Sequence, residues 1–214
     1  MRKIFVTGIG TGVGKTVASA VLAEALEADY WKPVQCGLEP MTDAELVRSL
    51  LSNKRSVVHP EVYRFKDAMS PNAAAELARV EIDLDNIKIP TGSSNRTLII
   101  EGAGGLLVPL NGRELMADLI SKLDAEVIVV ADFYLGSINH TLLTCSELKR
   151  RQLPVLGLLF LGTVNEASAS IILKNCGLKL LGRIAHEKKV DKNTVSKWAA
   201  QMNSFKKEIV IGNG

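Results

Sequence analysis

The chain has 214 residues, of which 47% are apolar and 23% charged, with a formal net charge of +3 at pH 7. That supplies enough apolar mass for one buried core and too much for a disordered or collagen-like chain. The small positive balance does not by itself point to nucleic acid. Three cysteines, Cys36, Cys145 and Cys176, show no C-x-x-C spacing and read as reduced, mostly buried thiols. The most apolar stretch, residues 153–164, is too short for a membrane span and contains Pro154, Gly157 and Gly162. The run Ile4-Phe5-Val6 is too short for a signal peptide and leads into a Gly-rich turn. A soluble cytoplasmic protein without nucleic-acid or membrane partners is expected.

Short β-branched runs alternate with helical spacing along the chain. Residues 3–7 predict a buried strand and 15–28 a helix, with Val17, Val21, Leu22 and Ala25 at helical intervals. Residues 30–34 predict a second strand, and 43–51 a helix with Thr42 as N-cap. Ser70-Pro71 is a helix-start signal for residues 72–79. A strand over 97–100 ends in Glu101, followed by Gly102-Ala103-Gly104-Gly105. Helices are predicted over 115–123, 138–151, 167–176 and 192–202, and strands over 126–131, 154–161 and 179–184. Continuous apolar strands separated by helices imply an α/β fold, a doubly wound, mostly parallel sheet with helices on both faces. Residues 88–95 read as a surface loop, so residues 1–214 are expected to form a single domain. The Lys- and Arg-rich tail 183–207 reads as a solvated helix face.

Gly8-Ile9-Gly10-Thr11-Gly12-Val13-Gly14-Lys15-Thr16 links the first strand to the first helix. Backbone N–H groups and the helix N-terminus favour phosphate there. Lys15 can reach the terminal phosphates, and the Thr16 hydroxyl suits Mg2+. Gly12, Val13, Gly14, Lys15, Thr16 and Val17 are the expected ATP contacts. Five residues separate Gly8 from Gly14, so the loop is one residue longer than G-x-x-x-x-G-K-[ST]. Partition-type switch proteins place a second lysine at the position of Gly10; here that charge has to come from elsewhere, and Lys32 is the candidate.

The phosphate loop and Lys32-Pro33-Val34-Gln35-Cys36-Gly37 together resemble the dethiobiotin synthetases. So do Thr42-Asp43-Ala44, Ser70-Pro71, and Ile99-Ile100-Glu101-Gly102-Ala103-Gly104-Gly105 with Val108-Pro109-Leu110 behind it. Leu135-Gly136-Ser137-Ile138-Asn139-His140 fits as well, and the likeness runs in order from Arg2 to about Gly157. It implies a P-loop NTPase fold and a cyclo-ligase of biotin synthesis. 7,8-Diaminononanoate and CO2 would give a carbamate, ATP would activate it, and the second amine would close the ring, leaving dethiobiotin, ADP and phosphate. Lys15, Lys32 and Thr11 would carry the reaction, and Thr16, Asp43 and Glu101 would hold Mg2+. Thr11, Lys32, Cys36, Gly104, Gly105, Gly136, Ser137 and Asn139 would meet the substrate, the segment 136–139 across a homodimer interface.

These residue types suit that chemistry. Phosphoryl transfer needs positive charge on the transferring group. An alkylamine with a pKa of about 10.4 is almost wholly protonated at neutral pH, and nearby Lys15 and Lys32 would favour its neutral form and the anionic carbamate. A His or Cys base is not required, and His140 reads as structural. Alternatives stay open at this point: Asp43 as a helix-start carboxylate, residues 136–139 as a plain helix cap, and Gly104-Gly105 as a plain turn. Gly10, Gly12 and Cys36 depart from the family pattern in the loop and beside the diamine. Leu161, Gly162 and Ala185 depart from it where the base is read, so weak nucleobase selectivity is expected. The rival readings are a partition-type switch and a paralogue that binds without turnover.

Overall fold

The computed structural model describes residues 1–92, 96–202, 205–207 and 209. Residues 93–95 of the expected surface loop, and 203–204 of the basic tail, lie outside them. The six strands of the main sheet are β1 (Lys3–Gly8), β2 (Asp29–Trp31), β5 (Leu98–Gly105), β6 (Glu126–Asp132), β7 (Val155–Leu161) and β8 (Leu180–Ile184), in the order β2-β5-β1-β6-β7-β8. Every neighbouring pair is parallel. Both faces are buried, which is why these strands carry continuous apolar runs such as Val127–Ala131, all fully enclosed.

The helices are α1 (Lys15–Leu26), α2 (Asp43–Leu50), α3 (Pro71–Leu77), α4 (Met116–Leu123), α5 (Ser137–Arg150), α6 (Glu166–Cys176) and α7 (Lys192–Gln201). α1 packs against β5, α2 and α7, so it is buried around most of its girth, and its alanines permit the close approach. Thr42 caps α2 as expected, in a reciprocal capping box with Glu45. Ser70 stands at the N-cap of α3 without a side-chain capping bond. α7 buries Val195 and Trp198 and turns Lys192 and Lys197 to solvent.

Three expectations need correction. The strand expected over residues 30–34 is two strands: β2 stops at Trp31, and β3 (Val34–Cys36) pairs in a separate two-stranded parallel sheet with β4 (Tyr63–Phe65), which the sequence did not reveal. Pro33 has no N–H to donate and ends the first pairing. Residues 102–105, expected as a loop, belong to β5, where Gly8 pairs with Gly105 across an irregular register. The helix expected over 72–79 ends at Leu77, because Arg79 takes a φ of 55°.

The N-terminal edge of the sheet is held by charge. The fully buried Asp29 accepts from Arg96 Nε at 3.0 Å and Nη2 at 3.3 Å, and from the Val57 N–H at 2.9 Å, with His59 Nε2 at 3.4 Å. His59 is thereby structural. Arg96→Met leaves that carboxylate short of two donors, and unfolding free energy is expected to fall by about 1–3 kcal/mol. Urea titration checks this, and an unchanged midpoint would refute it.

Candidate active site

In a parallel sheet all C-terminal strand ends share one edge, and loops leaving that edge meet there. β2 pairs with β5 so that Trp31 lies opposite Ile100. The next residues, Lys32 and Glu101, therefore emerge side by side. β1 runs on the other side of β5 and delivers the phosphate loop to the same place. Gly14 makes the turn into α1 with a φ of 85°, and a Cβ there would sit 2.2 Å from Leu161 Cδ2, so only glycine fits.

Five side chains form one cluster. The Thr16 hydroxyl lies 2.8 Å from Asp43 Oδ1 and 2.9 Å from Glu101 Oε1. The Lys32 ammonium donates to Asp43 Oδ2 and, at 3.1 Å, to Glu101 Oε1. The fully buried Tyr30 hydroxyl donates to Glu101 Oε2 at 2.8 Å. Thr16, Asp43 and Glu101 thus converge as oxygen donors, the ligand chemistry that Mg2+ selects. Lys15 donates to the Gly10 carbonyl at 2.9 Å, curling back over its own loop.

Electrostatics follows from burial. Lys15 and Lys32 are 7% and 6% exposed. Burial pushes the Lys15 ammonium down to about 8; Lys32 adds to the fall, while Glu101 and Asp43 oppose it. Burial pulls Lys32 the same way, but Glu101 and Asp43 together outweigh it and hold its ammonium above the ordinary lysine value. For Asp43 burial acts upward, and the neighbouring Lys32 ammonium overcomes it, leaving the carboxyl below its ordinary value. Burial raises the Cys36 thiol to about 11, against the pull of Lys32, so it stays protonated at neutral pH.

A cavity of about 560 Å3 opens onto this cluster. Thr11, Gly12, Gly14, Lys15, Thr16, Lys32, Cys36, Asp43, Glu101 and Gly104 all line it, so both lysines face one crevice. Val13 is buried and Val17 half-buried behind the loop. Gly105 lines an adjoining, more apolar hollow that shares Thr11 and Val108 with the main cavity. Gly136, Ser137 and Asn139 are not brought into the crevice of their own chain. They line a separate groove with Tyr134, Thr163 and Asn165. His140 bonds to the Tyr134 hydroxyl through Nδ1 at 2.8 Å, as suits a structural histidine, though it is exposed.

Two contributors escaped the sequence reading. Tyr30 satisfies the second oxygen of Glu101. Gln35 donates to the Cys36 and Gly37 carbonyls and accepts from the Asp43 N–H at 3.4 Å, pinning the start of α2. Both flank Lys32 in sequence, but neither has a motif of its own. Met69 and Ala68, after β4, close the cavity wall and could not be placed without that strand.

Comparison with known proteins settles the family. A family model described as an AAA domain matches residues 2–194. The ATP-dependent dethiobiotin synthetase BioD of Cytophaga hutchinsonii is 53% identical over 94% of this chain and 97% of that protein. Its counterpart from Christiangramia forsetii is 47% identical over 92% of this chain and 94% of that protein. The chain belongs to the ATP-dependent dethiobiotin synthetase family. Its fold is shared more widely. The MinD cell division protein of Aquifex aeolicus superimposes with a TM-score of 0.59 at 11% identity, covering 99% of this chain and 98% of that one. At that identity the likeness concerns architecture alone. The partition-type reading is therefore right about the fold class and wrong about the family.

Proposed function

We propose that the crevice between the phosphate loop and Lys32 is where this ATP-dependent dethiobiotin synthetase closes its ring. The observation carrying this assignment is the convergence of Thr16, Lys32, Asp43 and Glu101 beside Lys15 on a cavity large enough for a small diamine. The substrates are 7,8-diaminononanoate, CO2 and ATP, and the chain works as one domain. Residues 12–17 hold the triphosphate through backbone N–H groups and the Lys15 ammonium. Thr16, Asp43 and Glu101 would hold Mg2+, which supplies charge neutralisation on the phosphate oxygens.

The buried lysines do the rest. One amine adds to CO2, giving a carbamate that the two ammonium groups stabilise as an anion. A carbamate oxygen attacks the γ-phosphorus and ADP departs, with the charge developing on the transferred group facing Lys15 and Lys32. The second amine attacks the carbonyl carbon and phosphate leaves. This last step is intramolecular, so holding both amines in register accelerates it. Thr11, Cys36 and Gly104 form the wall on the diamine side. The test is phosphate release with diaminononanoate and bicarbonate together, against either omitted. Release independent of the diamine would refute the assignment.

The segment 136–139 serves the substrate carboxylate from a second copy of the chain. In support, Leu135 is wholly exposed, and Leu107, Tyr134 and Leu143 are exposed nearby, an apolar face beside the cavity mouth. Sedimentation of a dimer, broken by Leu135→Asp with loss of turnover, is the expected result. A cytoplasmic location belongs to the same proposal. Separately, among the described residues no helix is long and apolar enough to cross a membrane.

The end of β7 offers aliphatic surface where the family reads the base. Leu161 packs on Gly14, and Gly162 lies against Asp132. With no side-chain donor or acceptor from either residue, kcat/KM for ATP, GTP and CTP is expected to agree within roughly tenfold, the scale of about one hydrogen bond. A strong ATP preference would overturn this reading.

A further inference from the structure

A second cavity, of about 540 Å3, lies between α5 and α6, lined in part by Leu142, Cys145, Lys149, Cys176 and Leu178. None of these residues takes part in the chemistry above. Cys145 is buried on α5, and Cys176, the last residue of α6, is half-buried. The helices pack together, and the two thiols, both lining this cavity, are close enough to interact.

We propose that Cys145 and Cys176 form an oxidation site, a dithiol that a hydroperoxide converts into a disulfide joining α5 to α6. Cys176 is the attacking group, because it is the more exposed of the two. The neighbouring Cys145 holds the Cys176 thiol below its ordinary value, while Cys176 and burial together push Cys145 up. In the first step Cys176 sulfur takes one peroxide oxygen, the O–O bond breaks, and water leaves, giving a sulfenic acid. In the second, Cys145 sulfur attacks Cys176 sulfur, the S–O bond breaks, and its oxygen leaves as water with the thiol proton. Two thiols and one hydrogen peroxide give one disulfide and two waters; the peroxide accepts both electrons. Cys36 stands apart in the other cavity with its thiol raised, which makes it a poor competitor.

The test treats the reduced, full-length protein with hydrogen peroxide, then alkylates it under denaturing conditions and maps its peptides by mass spectrometry. The expected product has lost two hydrogens, joins the Cys145 and Cys176 peptides within one chain, leaves Cys36 alkylated, and reverts with dithiothreitol. Cys145→Ser should stop at a sulfenic acid on Cys176 that dimedone traps, and Cys176→Ser should leave Cys145 unoxidised at the same dose. Full alkylation of both cysteines after treatment that oxidises a control thiol peptide would overturn the proposal. So would a disulfide through Cys36 or between chains in its place.

Discussion

Lys32→Ala is expected to lower kcat by about 10²–10³-fold while nucleotide affinity changes only a few-fold, as for loss of one charge aimed at the transition state. In the proposed site the triphosphate rests on the backbone of residues 12–17 and on Lys15, while the hydrogen bonds of Lys32 go to Asp43 and Glu101. The Lys32 ammonium is locked between Asp43 and Glu101 and lines the cavity proposed to hold the transferred group and the carbamate. Removing it leaves Asp43 and the buried Glu101 without their cation, so stability is expected to fall as well, and the rate is read per folded molecule. Phosphate release and calorimetric titration with MgATP check this. A parallel loss of affinity and rate would reassign Lys32 to ground-state nucleotide binding.

Glu101→Ala is expected to destabilise the protein by about 3–5 kcal/mol, the penalty for breaking a buried charge pair, and to lower turnover by about 10²-fold or more. Glu101 is 1% exposed and accepts from Thr16, Lys32 and Tyr30 at once. Truncation strands a buried ammonium on Asp43 alone and leaves the Tyr30 hydroxyl without an acceptor. Glu101→Gln keeps an acceptor oxygen, so its stability loss should be smaller, while the missing charge still suppresses turnover. Urea unfolding of both variants, with the phosphate assay, separates packing from chemistry. Equal stability of the Ala variant and the parent would refute the account.

The phosphate loop, Lys32, Asp43 and Glu101 were legible because each stands at a strand or helix end that the apolar pattern already marked. Strand order was not legible, since periodicity records which residues are buried and not which strand lies beside which. The break at Pro33 was missed for a local reason. Tyr30 to Val34 is apolar apart from Lys32, and its pattern hides a change of sheet that the proline enforces. Once β3 is detached, Gln35 and Cys36 acquire their places on the cavity side, and β4 becomes necessary as a partner. Residues 102–105 read as a turn because glycine is common in turns, yet here small residues let β5 run close beside the phosphate loop. The groove holding residues 136–139 lies beyond anything one chain's sequence pattern can join to the crevice.

Because every strand of the main sheet points the same way, mutational risk is divided between two poles of the molecule. Asp29 with Arg96, and Glu126 with Arg2, anchor the starting ends of strands, while the cluster of Thr16, Lys32, Asp43 and Glu101 proposed for catalysis lies at the opposite, finishing ends. Substitutions at the first pole should erode thermal robustness and leave kcat/KM intact, and those around the second should do most damage to turnover. Robustness could then be engineered upward from the anchoring pole without the usual toll on catalysis.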